Sequence, residues 1–461
     1  VVGFVFYDTE TTGTDKFFDQ ILQFAAIKTD EHLNELDRFE IRCRLLPHMI
    51  MSPGAMMVTG VTIEQATNPN LPSHYGMVRA IREKLIEWSP AIFVGYNSLA
   101  FDEELMRQAQ FQTLHNPYLT QRDGNTRADA MILTKAVAQF EPDCLTIPVK
   151  DNGRPVFKLD RVAPANGFDH SKAHDAMADV EAVIHLCRLA ANGASTEWSN
   201  FIRFSHKAAV EAFLLDGDPV LLTEFFGFGG QKHFPVIRIG ADSDQAAKHL
   251  CYDLTQDPDS FRAMSDVALM ACFASRPKPL RKVKSNAAPT LRAIDEAPQW
   301  SLGELSEDEI SSRAADVLAD TAFIERLLAA YEETKTIYDP SEHVEQQIYG
   351  EFPTPPDNQL MERFHTTPWP DRHHLVSQFA DRRYSFLAAR VIYAEHPNLL
   401  PDDLRESVRA HVQSRVFFEG DCDWGTIAKA MTECDEKLAG ASPEQAEMLQ
   451  RYKERLVAFS V

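Results

Sequence analysis

Basic residues are in deficit: 46 Lys and Arg stand against 68 Asp and Glu in a chain of 461 residues, a formal charge of -22. Such a balance excludes indiscriminate adhesion to nucleic acid over the whole surface, because phosphates are held by cations, although it leaves room for a local basic channel. Cysteine is sparse as well. The seven thiols, at positions 43, 144, 187, 251, 272, 422 and 434, are scattered, odd in number and never spaced CxxC. Neither a disulfide framework nor a zinc site is expected, and a reducing cytoplasm is the expected compartment. No apolar run approaches the ~20 residues that a membrane span needs. The opening segment Val1–Asp8 has no basic stretch and no small-residue cleavage site, so it reads as a strand and not as a signal peptide. It also begins without Met, and a trimmed start is the expectation. Internal repeats and low-complexity tracts are missing too.

What is present is an ordinary globular mix, 44% hydrophobic and 25% charged, in a length that suits two to four domains. Residues 2–7, 21–29 and 39–46 read as strands, 78–88 as a helix, and 91–96 as a short buried strand. Helical segments follow over 101–110, 127–139 and 174–190. Three strands and then helices interleaved with a strand predict a mixed sheet flanked by helices. The polar patch Asn192-Gly193-Ala194-Ser195 marks a boundary, beyond which 219–223, 234–239 and 249–254 read as strands of a small β-rich module. Arg276–Lys284 carries five positive charges in nine residues and reads as an exposed connection. Ser306 with Glu309 forms a capping box that opens a helical region broken by Pro353, Pro355, Pro356, Pro368 and Pro370. The expected limits are therefore 1–192, 193–303 and 304–461.

The sharpest local feature is Asp8-Thr9-Glu10 at the end of the first strand, followed by Thr11-Thr12-Gly13. Residues two apart on a strand point the same way, so both carboxylates can aim at one point, where they repel unless a cation sits between them. Clusters of hard oxygens of this kind suit Mg²⁺ or Mn²⁺. A lone DxE is more often a solvated strand end. Two further signals change that balance. Asp102 stands where a helix begins, where an N-cap is the bland reading. His174-Asp175-Ala176-Met177-Ala178-Asp179 opens another helix, with Asp175 as the better N-cap, which leaves Asp179 without that structural duty.

In this order the residues resemble the DEDDh branch of the proofreading-type exonuclease superfamily. Gln23-Phe24-Ala25-Ala26-Ile27, Gly95-Tyr96-Asn97 before Phe101-Asp102, and the run 165–179 further resemble the bacterial exonuclease I family. The likeness continues more faintly through Gln346–Gly350 and Phe379–Arg383. It implies an α/β, ribonuclease-H-like exonuclease domain, an SH3-like module and a helical C-terminal domain that together clamp single-stranded DNA. It also implies two-metal hydrolysis from the 3′ end, with Asp8, Glu10 and Asp179 on one Mg²⁺, Asp8 and Asp102 on the second, and His174 as general base. The acidic C-terminal tail of single-stranded DNA-binding protein is an implied partner, and a monomer is expected. One departure puts contacts in the C-terminal part in doubt: after Asp381-Arg382-Arg383 the family tends to carry a second basic run, whereas here Arg390 is the only base in Arg390–His396.

Thr11 and Gly13 are candidates for letting backbone amides approach the terminal nucleotide. Tyr96 and Phe101 are candidates for stacking, each equally readable as core. Arg281 and Lys282 are candidates for the DNA path or an acidic peptide, a solvated loop being the alternative. His170 and His185 read as structural, and Phe225–Gly230 as a flexible turn, since it has no Gly-Lys-Ser/Thr ending. Two alternatives stay open: an RNA or oligonucleotide trimmer with the same chemistry, and a catalytically dead binding scaffold.

Overall fold

The structure is a computed structural model that describes residues 3–169, 175–226, 230–274, 278–336 and 339–459. The first sheet is built from β1 (Phe4–Thr11), β2 (Ile21–Thr29), β3 (Glu35–Arg42), β4 (Ile92–Gly95) and β5 (Thr126–Asp129) in the order β3-β2-β1-β4-β5. β1 runs antiparallel to β2 and parallel to β4, and β4 parallel to β5, so the sheet is mixed. Alternation along β1 explains its two covers. Phe4 and Phe6 pack with Val180, Val183, Ile184 and Cys187 of the Ala176–Gly193 helix, whereas Val5 and Tyr7 pack with Ile81, Leu85 and Trp88 of the His74–Trp88 helix. Each such fully buried side chain contributes roughly 1.5–3 kcal/mol. Asp8 and Glu10 share the parity of Phe4 and Phe6 and so emerge beside the Ala176–Gly193 helix.

Two elements differ from the sequence reading. The third strand lies four residues earlier than 39–46, because it is an edge strand paired only to β2 and its outer face is charged. The helix expected over 127–139 is preceded by β5; Asp129 ends that strand and caps the Ala130–Phe140 helix by accepting from the Met131 amide.

The second sheet is antiparallel throughout: β6 (Val220–Phe225), β7 (Gln231–Ala241), β8 (Lys248–Asp253), β9 (Leu280–Lys284) and β10 (Thr290–Ala293), ordered β10-β6-β7-β8-β9. The exposed connection expected over 276–284 is thereby corrected, since residues 280–284 form β9. Leu280 and Val283, three apart on a strand, are buried in the cores on opposite faces of the sheet, while the intervening basic side chains gave the segment its loop-like composition. The polar patch at 192–195 opens no linker: the Ala176–Gly193 helix leads straight into the Ser195–Ser205 helix, whose Trp198, Phe201 and Ile202 pack on the first core.

The remainder is helical. Ser306 and Glu309 form the expected capping box at the Glu307–Ala319 helix, and Pro355 and Pro356 occupy the first turn of the Pro355–Thr366 helix. The C-terminal helices return to the first sheet's domain. Met51 and Met56 share a core with Ile427, Ala430, Cys434, Leu449 and Tyr452, which brings the Ile427–Leu438 helix against the Pro53–Thr59 helix. None of the described helices is long and apolar enough to cross a membrane.

Candidate active site

Asp8 and Glu10 leave the end of β1 on one face, and Asp179 projects from the first turn of the Ala176–Gly193 helix. Their carboxylate oxygens lie within 4.8 Å of one another. A register shift between Glu10 and Thr11 against β2 marks the strand end, a bulge of the kind that re-aims side chains beside functional sites. Asp175 is indeed the N-cap, accepting from the Ala178 amide at 3.4 Å and pairing with Arg42 at 3.2 Å. That division of labour leaves Asp179 to the cluster.

Asp102 opens the Asp102–Gln112 helix, is 4% exposed, and accepts a 2.5 Å hydrogen bond from the Thr9 hydroxyl. The approach to it is built from the Gly95-Tyr96-Asn97 segment. A Cβ on Gly95 would stand 2.9 Å from the Tyr7 carbonyl oxygen, and Asn97 adopts φ 61°, so the chain turns tightly off β4. Buried Asp129 then accepts from the Asn97 and Leu99 amides at 2.9 and 3.2 Å, which fixes the loop that delivers Asp102. Sequence reasoning missed Asp129 and Thr9; Asp129 falls inside the helix expected over 127–139, which hid its place at a strand end and as an N-cap.

Burial, followed by repulsion from Asp102, Asp179 and Glu10, pushes the Asp8 carboxyl well above its ordinary range. Burial, followed by repulsion from Asp179, Asp102 and Asp175, pushes Glu10 up to about 8, partly opposed by Arg42. Burial takes Asp102 to about 7, against the Thr9 hydrogen bond. Buried acids that resist ionisation in this way await a counter-charge, and an all-oxygen donor set matches a hard divalent cation such as Mg²⁺ or Mn²⁺.

A cleft of about 610 Å³ adjoins the cluster. Glu10, Thr11, Gly13 and Phe101 line one wall, and Trp424 together with Lys429, Glu433 and Lys437 of the Ile427–Leu438 helix lines the other. Thr11, Gly13 and Phe101 thus lie in the lining of this cleft. The C-terminal wall had no local signal in the sequence. Tyr96, Arg281 and Lys282 are not among the cleft residues. The Tyr96 hydroxyl donates to the Phe157 carbonyl at 2.8 Å. Arg281 pairs with Asp253 at 3.0 Å and Glu224 at 3.5 Å and covers the Phe234 ring, while Lys282 covers Tyr331. His174 and His170 lie outside the described residues, as does the centre of the 225–230 turn. His185 bonds the Asn166 carbonyl oxygen, and Arg390 is buried against Glu345 at 2.5 Å.

Comparison with known proteins agrees with this arrangement. Residues 5–187 match the Exonuclease family, and residues 342–456 match the Exonuclease I C-terminal domain family. Exodeoxyribonuclease I of Escherichia coli is 34% identical over 188 residues, 40% of this chain and 39% of that one. The Haemophilus influenzae enzyme is 28% identical across 58% of each chain, and one from Buchnera aphidicola (Schizaphis graminum) is 24% identical over 87% of this chain and 85% of its own. The first two alignments therefore span 39% and 58% of those relatives' lengths. The crystal structure of E. coli exonuclease I with a dA16 oligonucleotide superimposes with TM-score 0.85 at 21% identity, covering 99% of this chain and 100% of that one. A Methylocaldum szegediense exonuclease I gives 0.83 at 22% identity with the same coverage. The chain therefore joins an Exonuclease-family domain carrying clustered carboxylates to an Exonuclease I C-terminal domain, and it is similar in fold to exonuclease I over nearly its whole length.

Proposed function

We propose that the protein is a divalent-metal-dependent 3′→5′ exodeoxyribonuclease that acts processively on single-stranded DNA and releases 5′-mononucleotides. The observation that carries the reading is the convergence of Asp8, Glu10 and Asp179 within 4.8 Å beside an open cleft. The relatives add support, since E. coli exonuclease I has been solved with dA16 and dT13 oligonucleotides and in a zinc-bound complex with single-stranded DNA.

In this reading Asp8, Glu10 and Asp179 hold one Mg²⁺, and Asp8 with Asp102 serves a second, Mn²⁺ being a substitute. When bound, the pair of ions supplies an activated water and charge stabilisation at the phosphorus and the leaving oxygen. The chain's own residues do the rest. Thr9 and Asp129 keep Asp102 in place from the strand and loop sides. His174 takes the proton from the attacking water, its ordinary pKa near 6.5 leaving a neutral fraction at physiological pH. Thr11, Gly13 and Phe101 form the wall beside the terminal nucleotide. We read the second sheet as an SH3-like module, a view its β10-β6-β7-β8-β9 order supports, and propose domain limits of 1–192, 193–303 and 304–461, with the Ser195–Ser205 helix bridging the first two by packing on the first core. A monomer in the bacterial cytoplasm, a role in DNA repair or recombination, and recruitment through the acidic tail of single-stranded DNA-binding protein complete the proposal. For the last, a related exonuclease I has been solved with SSB and an inhibitor.

The test is a gel time course on a 5′-labelled single strand with Mg²⁺ or EDTA, beside a matched RNA and a blunt duplex. A Mg²⁺-dependent ladder that shortens only the single-stranded DNA from its 3′ end is expected. Equal digestion of RNA would move the substrate to ribonucleotides, and no digestion by a folded sample would leave a binding scaffold.

A further inference from the structure

We propose that Tyr118, Arg122, Tyr349 and Phe352 form a stacking platform for the single strand on the 5′ side of the bond being cut. The inference rests on the reading above of the chain as a single-strand exonuclease. Phe352 is 73% exposed and Tyr349 48% exposed, a large apolar area to leave in water unless a ligand covers it. The Phe352 ring lies 6.0 Å from that of Tyr118, and the guanidinium carbons of Arg107 and Arg122 stand 5.6 and 5.7 Å from the Tyr118 ring centre. Arg122 is exposed and has no carboxylate partner among the described residues. Glu104 of the Asp102–Gln112 helix contacts the platform, and its carboxylate is taken up by Arg107 at 3.2 Å and by the Tyr349 hydroxyl.

Position favours a strand over any other occupant. Arg107 lies on the helix that Asp102 opens, five residues further on, about 7.5 Å along its axis at 1.5 Å per residue. Arg107 also donates to the Tyr349 hydroxyl at 3.3 Å and to Gln121 at 3.1 Å. Arg127 shares Gln121 at 2.7 Å and reaches the Asn286 carbonyl at 3.0 Å. The exonuclease domain, the second sheet's module and the C-terminal helices therefore meet at the platform, within a few nucleotides' length of the carboxylates. Aromatic rings interleaved with guanidinium groups, in a chain of charge -22, match the stacking and backbone neutralisation by which single strands are held. Every base offers a π-face, so the platform would be indifferent to sequence.

The experiment measures fluorescence anisotropy of the full chain with labelled oligo-dT of twelve and of three nucleotides in EDTA, with trinucleotide hydrolysis in Mg²⁺ as a second readout. Phe352→Ala and Arg122→Ala should each weaken binding of the twelve-nucleotide strand by about tenfold. They should leave trinucleotide binding and hydrolysis unchanged, and Phe352→Trp should restore the loss. Wild-type affinity for the longer strand in both alanine variants would overturn the platform while leaving the exonuclease reading intact. Failure of the unaltered protein to bind or shorten that strand would instead overturn the underlying reading.

Discussion

Asp8 and Glu10 are carboxylic acids kept from ionising easily by burial and by each other's company, with Asp179 alongside. A folded-state pKa raised above the unfolded value means that stability falls as pH rises from the unfolded pKa to the folded one. In metal-free protein the contribution of Glu10 should decline from about pH 4 and level off near pH 8, where it ionises. A divalent cation binds the ionised acids and removes the repulsion, so the rise in Tm produced by Mg²⁺ should grow between about pH 6 and pH 8. Thermal scans in EDTA and in Mg²⁺ across that range check this, and an increment independent of pH would contradict it. Gly13 gives a steric prediction. A Cβ there would stand 2.5 and 2.7 Å from the Asp19 carboxylate oxygens, which already accept from the Thr12 hydroxyl at 2.7 Å and the Asp15 amide at 2.8 Å. Gly13→Ala should therefore cost about 1–3 kcal/mol in urea unfolding and lower turnover, because it shifts the loop lining the cleft.

At the scale of elements, the C-terminal helices are fastened to the exonuclease domain by a buried ionic knot. Glu345 pairs with Arg390 at 2.5 Å and Arg415 at 2.9 Å, its carbonyl accepts from Gln108, and Arg390 also donates to Gln112 on the Asp102 helix. Arg415 in turn covers the Trp424 ring, which faces the cleft. Glu345→Ala leaves two buried arginines without their partner and should cost about 3–5 kcal/mol in urea unfolding; a loss below about 1 kcal/mol, the size of an exposed pair, would contradict that role. The elements also show what a sequence can and cannot disclose. β2 was legible to the residue, and Asp8, Glu10, Asp102 and Asp179 were legible because period two on a strand and the first turn of a helix fix where side chains point. Strand β9 was not, since only Leu280 and Val283 are apolar and they serve opposite faces. Arg390, the only base in the stretch that follows Asp381-Arg382-Arg383, proves to be the partner of a carboxylate 45 residues away. Tyr96 was readable equally as a stacking or a core residue, and its hydroxyl donates to the Phe157 carbonyl. Trp424, Lys429 and Lys437 reach the cleft only through tertiary packing on the Pro53–Thr59 helix, which no local spacing encodes.

Over the whole molecule, the cleft is walled by residues from both ends of an acidic sequence, from Thr9 to Lys437. If the cleft takes the single strand as proposed, the strand can leave only by sliding or by release from both walls at once. Once bound, the protein should therefore remove many nucleotides before dissociating. Excess unlabelled DNA added to a prebound complex should leave shortening of the labelled strand in progress, whereas immediate arrest would show distributive action. The central claim is that the carboxylates of β1 and the Ala176–Gly193 helix perform the hydrolysis. It is tested most directly by running Asp8→Asn beside the unaltered protein on one 5′-labelled single strand in Mg²⁺, with anisotropy and thermal scans on the same samples. The unaltered protein should give a ladder receding from the 3′ end, and Asp8→Asn should give none while folding and binding the strand as before. A full ladder from Asp8→Asn would contradict the account.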